Sequence, residues 1–264
     1  MPPSVHDRAG AALAECDLDA KADAVVELLR AWNAGEVDWR APDEPLVPVT
    51  APGRPTAPVL VAPRRLAARR LGTPAGRVAG VHAIAHIEAN AVNLALDAAH
   101  RFAGLPASYY GDWLSVAADE ARHFGLLRTR LRDLGADYGD LPAHDGLWTM
   151  AVRTADDPLR RMALVPRVLE ARGLDVSPGI IDRFRAAGDD ATAAILEVIL
   201  EEEVGHVATG SRWFSWLCAE RGIDQEATFR TLLAEEGVRV SPPLNEAARL
   251  AAGFSAEELS ALSG

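Results

Sequence analysis

The sequence predicts an all-α protein: a four-helix bundle with additional peripheral helices and a proline-rich N-terminal arm. Three observations lead there. Alanine and leucine dominate, and β-branched alternation is scarce outside Leu46 to Pro63. Four long stretches carry apolar residues at helical spacing, punctuated by glycine or proline. Two of those stretches contain Glu-x-x-His, as Glu120–His123 and Glu203–His206.

Composition narrows the function classes. At 264 residues the chain can bury a sizeable core. Its net charge of −11 disfavours nucleic acid, whose binding leans on Lys and Arg at phosphates. The one basic cluster, Pro63 to Arg70 (PRRLAARR), reads as a solvated helix face or a partner for carboxylates elsewhere in the fold. No run of eighteen apolar residues is present, so no membrane span is expected. The N-terminus carries charges early and has no apolar core ending in a cleavage site, so no secretory leader is expected. Cys16 and Cys218 are too few for a disulfide framework, and a reducing cytoplasm is the expected setting.

Three regions follow. Residues 1–71 hold N-terminal helices and the arm. Within them, Asp17 to Gly35 reads as an amphipathic helix with a stripe of Ala22, Val25, Val26, Leu29 and Trp32. Leu46 to Pro63 is proline-rich and reads as an extended surface arm. Residues 72–222 hold the bundle. Its helices are predicted over Thr73 to Ala103, stopped by Gly104 and Pro106, and over Ala107 to Leu134, stopped by Gly135. A third is predicted over Asp157 to Arg172, kinked at Pro166 and ending by Gly173. The fourth is predicted over Asp189 to Arg221. Shorter helices are expected at Gly146 to Arg153 and Pro178 to Ala187. In residues 223–264 they are expected at Gln225 to Glu235, Leu244 to Ala251 and Ala256 to Leu262.

One Glu-x-x-His is a common surface pair; two on apolar stripes are not. Trp113, Val116, Ala117, Phe124, Leu127 and Leu131 share a face with Glu120 and His123. Leu196, Ile199, Leu200, Val207, Gly210 and Phe214 share one with Glu203 and His206. The other two long helices each carry a lone Glu on an apolar stripe, Glu88 and Glu170. Glu88 lies 32 residues before Glu120, and Glu170 lies 33 before Glu203, which reads as an internal repeat. A helix rising for about 15 residues from Glu88 and another descending for about 13 to Glu120 travel roughly 22 and 20 Å, so the hairpin returns both to one level.

Buried carboxylates need a compensating cation. One Glu from each of two helices and Glu-x-x-His from each of the other two is a di-iron or di-manganese carboxylate pattern. Four carboxylates balance two divalent ions, and each imidazole binds one while leaving positions open for O₂ or substrate. The predicted metal ligands are therefore Glu88, Glu120, His123, Glu170, Glu203 and His206. Either pair, Glu120 with Glu203 or Glu88 with Glu170, supplies the bridging carboxylates. Asp119 and Glu202 each precede a ligand Glu. They are candidates to hold the second nitrogen of His206 and His123, respectively, against a reading as solvent-facing charges.

Other groups are discounted. His82 and His86 flank Glu88 but point away from it at 100° per residue, and read as surface or second-layer groups. His6, His100 and His144 have no supporting pattern. Tyr109, Tyr110, Trp113 and Trp148 read as core, and Glu197 and Glu201 as solvated.

On these residues the sequence resembles the ferritin-like superfamily. Within it, the chain resembles a bacterial family catalogued as domain of unknown function 455. The carrying segments are HIEANAVNLALDAAHRF, YYGDWLSVAADEARHFGLLRTRLRDLG, HDGLWTMA, MALVPRVLEARGLD and ILEEEVGHVATGSRWF, together about Gly72 to Cys218. The resemblance implies a ferritin-like bundle with a dinuclear metal centre and no particular reaction. Iron-storage ferritins usually carry one such motif and shorter chains. The paired motif looks more like that of rubrerythrin, the small ribonucleotide reductase subunit, multicomponent monooxygenases and a ferritin-like tRNA hydroxylase. The chain lacks a Cys-x-x-Cys rubredoxin segment, and its acidity disfavours the tRNA hydroxylase.

The expected function is a di-iron or iron–manganese oxidoreductase that activates O₂ or peroxide to oxidise a small organic substrate. The alternative is a metal-handling or stress-protective protein without an organic substrate. Expected partners are the substrate, O₂ or peroxide, an external electron donor and a second copy in a homodimer. No nucleic acid, membrane, flavin or nicotinamide is expected.

Overall fold

The computed structural model describes residues 3–42, 46–47, 49–66 and 70–263. These are helical, with no β-structure among them beyond isolated bridges pairing Ser4 with Asp38 and Leu60 with Ala143. No helix among them is long and apolar enough to cross a membrane. Chain contacts define two compact units, 1–152 and 153–264. Each contains one Glu-x-x-His segment.

In the first unit, α1 spans Val5–Ala14, α2 Leu18–Asn33, α3 Pro74–Arg101, α4 Ala107–Asp133 and α5 Gly146–Arg153, its last residue opening the next unit. The Thr73 hydroxyl caps α3 by accepting from Gly76 N–H, with Pro74 in the first turn. Gly135 ends α4 at φ +81°, a left-handed position that only glycine adopts without cost. The connection 102–106 folds α3 and α4 into a hairpin. Helix α1 packs on α3, and α2 packs on α4. From Glu88 to His100 every α3 residue is buried, so this helix is covered on all sides.

The α2 face differs from the expected stripe. Lys21, Val25, Leu28 and Ala31 are buried, whereas Val26 is 59% exposed. The reason is Lys21, whose ammonium donates to Leu13 O at 3.2 Å, Gly53 O at 2.9 Å and the Asn93 side-chain oxygen. Three acceptors satisfy three N–H bonds and let a lysine take an apolar position. They tie α1, the arm and α3 together at one point.

The arm runs extended and is held from outside itself. Val61 N–H donates to Ala143 O, and Ala143 N–H to Val59 O. Arg101 donates to Val49 O at 2.6 Å, and Trp148 Nε1 to Thr50 O at 2.9 Å. An extended chain cannot satisfy its own carbonyls, so helix side chains do so. Within the basic cluster, Arg64 and Arg65 sit exposed in a single 3₁₀ turn, Pro63–Arg65, while residues 67–69 lie outside the described residues, as does residue 48 of the arm.

The second unit contains α6 (Pro158–Leu164), a π-helical turn (Val165–Glu170) and α7 (Ala171–Ala186). It continues with α8 (Asp190–Glu220), α9 (Gln225–Glu235), α10 (Glu246–Ala251) and α11 (Ala256–Ser263). The expected break at Gly173 does not occur, and the helix expected over Pro178 to Ala187 is the end of α7. Two prolines are accommodated differently. Pro166 lies in the π turn, which widens the helix around it. Pro178 lies inside α7 and leaves the Leu174 carbonyl without its usual helical donor. Asn245 Nδ2 donates to that carbonyl at 3.1 Å, so a residue 71 positions away repairs the helix.

Helix α8 lies close enough to the π turn that a Cβ built on Gly210 would stand 2.3 Å from Pro166 side-chain carbons. Beside it, the buried Arg167 guanidinium lies 4.4 to 4.8 Å from the rings of Phe214, Phe229 and Phe254. It donates to both Glu258 oxygens at 2.7 Å. The charge is thus compensated by one carboxylate and three aromatic faces.

Two outcomes follow. Gly210→Ala is expected to destabilise by about 1–3 kcal/mol through overpacking. Gly179→Ala, at an exposed helical site with open space, should stabilise by about 0.5–1 kcal/mol. Chemical denaturation of both variants reads the opposite signs.

A further outcome concerns pH. Burial holds Lys21 down at about 8 against 10.5 in an open chain. Between those values the unfolded chain binds the extra proton, so the Lys21 contribution to stability rises with pH from about 8 to 10.5. Denaturation across that range should show this rise in the wild type relative to Lys21→Met.

Candidate metal centre

The α3–α4 hairpin brings three predicted ligands together. Glu88, Glu120 and His123 are buried, and each offers one ligand atom within 4.8 Å of the others. His123 Nδ1 stands 3.3 Å from Glu88 Oε2 and 3.5 Å from Glu120 Oε2. The cause is local. Glu120 and His123 are one turn apart on α4, and the hairpin delivers Glu88 to their level, as the residue count predicts. The predicted α4 stripe around them, Trp113, Val116, Ala117, Phe124, Leu127 and Leu131, is buried throughout.

In the second unit the same motif adopts the same local geometry. His206 Nδ1 stands 3.1 Å from Glu203 Oε2. His206 is buried, and the Glu203 side chain is 14% exposed. Glu170 closes the π turn and is half-buried. The widened helix therefore ends at the one predicted ligand of that helix, a placement often seen at functional sites.

Electrostatics supports cation binding. Burial alone would depress the His123 imidazole, but hydrogen bonds to Glu120 and Glu88 and their charges outweigh it and push its pKa up to about 10. The two carboxylates thus favour a positive charge at this imidazole nitrogen. Carboxylate oxygens and an imidazole nitrogen, with no thiolate, form a donor set suited to iron, manganese or zinc. The residues fit a metal, which would take the place of the His123 Nδ1 proton.

The other predicted groups fall as follows. Asp119 is 41% exposed on its side chain and lies 3.4 Å from Arg122; Glu202 is half-buried. Glu197 and Glu201 are exposed, with Glu197 paired to Arg185. Tyr109, Tyr110, Trp113 and Trp148 are core residues. His82 and His86 are not surface groups, since both are buried. His82 Nε2 accepts from Gly139 N–H at 3.0 Å, and its ring stacks on Tyr138. His86 meets Tyr138 OH at 2.8 Å and His144 O at 2.9 Å. Burial, with the charges of His144 and Arg54 acting in the same direction, keeps His86 below its usual value. His6 and His100 are buried and bond reciprocally, each ring Nδ1 to the other's carbonyl. The sequence reading passed over the polar set His86, Asn90 and Asn93. The one signal for it is three polar residues at i, i+4 and i+7 in an otherwise apolar helix.

Fold and site together define an all-helical protein with a buried Glu/His cluster suited to a metal ion. A family model described as "Protein of unknown function (DUF455)" matches residues 14–260, so the chain belongs to this family. An uncharacterized protein of Haemophilus influenzae is 45% identical over 213 residues, covering 78% of this chain and 74% of the relative. No solved structure matches the chain.

A metal that binds the folded chain stabilises it by mass action, about 2.7 kcal/mol at a hundred times Kd. Manganese(II), or iron(II) without oxygen, should therefore raise the Tm of metal-free protein by roughly 5–10 °C. The double variant Glu120→Ala/His123→Ala should show a clearly smaller shift in the same thermal scan.

Proposed function

We propose that this protein is a di-metal carboxylate oxidoreductase, with two irons or an iron and a manganese, that oxidises a small organic substrate using O₂ or peroxide. The observation that carries the reading is the buried convergence of Glu88, Glu120 and His123, with the same motif geometry repeated at Glu203 and His206. The ferritin-like resemblance supports the same reading through the order and spacing of the six residues.

In this reading Glu88, Glu120 and His123 would hold one metal, and Glu170, Glu203 and His206 the other. Bound there, the pair of metals would supply activation of O₂ or peroxide. The chain does the rest. Helices fix the carboxylates, so little reorganisation is needed at reaction. Apolar stripes on α4 and α8 keep bulk water out. His123 Nδ1 must shed its proton before it can ligate. Asp119 and Glu202 would orient the imidazoles of His206 and His123. The chain carries no rubredoxin-type cysteines, so electrons would come from the substrate or an external donor.

The test is metal analysis of protein from iron-supplemented cells, followed by anaerobic iron(II) loading and O₂ exposure with candidate substrates. About two metals per chain are expected in the wild type. Glu120→Ala and His206→Ala should lose most of the metal, and an oxidised organic product should form. Sub-stoichiometric metal that neither substitution changes would overturn the metal centre. Ferric mineral without product would instead favour the metal-handling alternative.

A further inference from the structure

A pocket lies on the face of α3 away from Glu88. It has a volume of about 410 Å³ and sits between that helix and the proline-rich arm. That volume suits a small molecule. Leu18, Pro58, Leu60 and Ala89 give it apolar walls, and Arg54, Thr56, His86, Asn90, Asn93 and Tyr138 bring polar groups to it.

Those polar groups present donors. Arg54 spends Nη2 on Asn90 Oδ1 at 3.3 Å and Asp145 Oδ1 at 2.5 Å. Its Nε and Nη1 make no hydrogen bond to the described residues. Asn93 gives its side-chain oxygen to the Lys21 ammonium, which fixes the amide with Nδ2 as a donor, also without a bond among the described residues. Asn90 has both ends committed, accepting from Arg54 and donating to His86 O at 2.7 Å. His86 is locked between Tyr138 OH and His144 O. The wall is therefore pre-organised, and what it leaves unspent is one guanidinium edge and one amide N–H₂.

The Lys21 ammonium stands directly behind Asn93 and polarises that amide toward donation. Buried Asn93 and half-buried Arg54 hold their donors in place without a ligand. An acceptor-bearing head group with a short aliphatic body complements both the donors and the apolar walls.

We propose that this cavity is a binding site for a small aliphatic monocarboxylate, its head group held by Arg54 and Asn93 and its chain lying against Leu18, Pro58, Leu60 and Ala89. The site does not depend on the metal reading: Glu88 points to the other side of α3, and every residue named here lies within the first unit.

The probe is hexanoate, with hexylamine and hexanol as comparators, titrated into full-length protein stripped of metal. Saturation-transfer NMR follows the ligand, and the ring resonances of His86 and Tyr138 follow the protein. Saturable hexanoate binding is expected, with shifts at both rings, weaker hexanol binding and no hexylamine binding. Arg54→Gln should weaken hexanoate about tenfold, the loss of one charge-assisted hydrogen bond. Asn93→Asp keeps the shape and the Lys21 contact but places a negative charge at the head group, and should weaken it at least as much. Both variants are first checked by circular dichroism, and either one, folded, suffices. Hexanoate binding unchanged in a folded variant, equal binding of hexylamine, or no saturable hexanoate binding overturns the proposal. Failure of metal loading leaves these expected results unchanged.

Discussion

A carboxylate can lie in the interior of a helical hairpin only if a positive charge lies with it. That constraint shapes the first unit. Glu88 sits in a helix covered on all sides, and Glu120 faces it from α4. His123 answers both, with Nδ1 within 3.5 Å of each. Apolar packing around the cluster withholds water, which strengthens the attraction and raises the cost of losing any member. The imidazole nitrogen that faces both carboxylates is also the atom a metal would take. The same packing therefore keeps the hairpin folded and the ligands aimed.

The second unit reaches a similar motif by a less regular path. Glu203 and His206 pair on α8, whereas Glu170, the predicted ligand of the preceding helix, ends a π turn. Pro166 cannot donate a helical hydrogen bond, and its ring needs space that Gly210 leaves open. Three phenylalanines and Glu258 then hold Arg167 within the same turn. A turn widened in this way would be soft if left alone. Here its cationic and proline side chains are both packed, so neighbours rather than helical propensity hold the turn.

Much of this was legible in the sequence, and the parts that were not share a cause. The α3–α4 hairpin read correctly because local signals decide it. Thr73 and Pro74 start one helix, Gly135 stops the other, and the count from Glu88 to Glu120 sets their level. The errors arose where a distant partner overrides a local rule. Val26 was assigned to the buried stripe and Lys21 was left out of it, because nothing near Lys21 announces the oxygens of Leu13, Gly53 and Asn93. Gly173 and Pro178 read as a break, because the donor that repairs α7 is Asn245. His86 read as peripheral, because Tyr138 and His144 lie 52 and 58 residues on.

The same division explains why the Glu/His cluster was easier to find than the pocket. Metal ligands must come as paired types at helical spacing, since geometry and charge fix both, so they leave a periodic trace. A cavity beneath an arm is built by residues whose only shared property is where the arm crosses the helix. Arg54, Asn93 and Tyr138 belong to three segments with no common period, and what joins them is Lys21 holding Gly53 against Asn93. One buried ammonium thus places the residue beside Arg54 and orients the amide opposite it. Sequence periodicity records chemistry repeated along a helix; it is silent about chemistry assembled by a single tertiary contact.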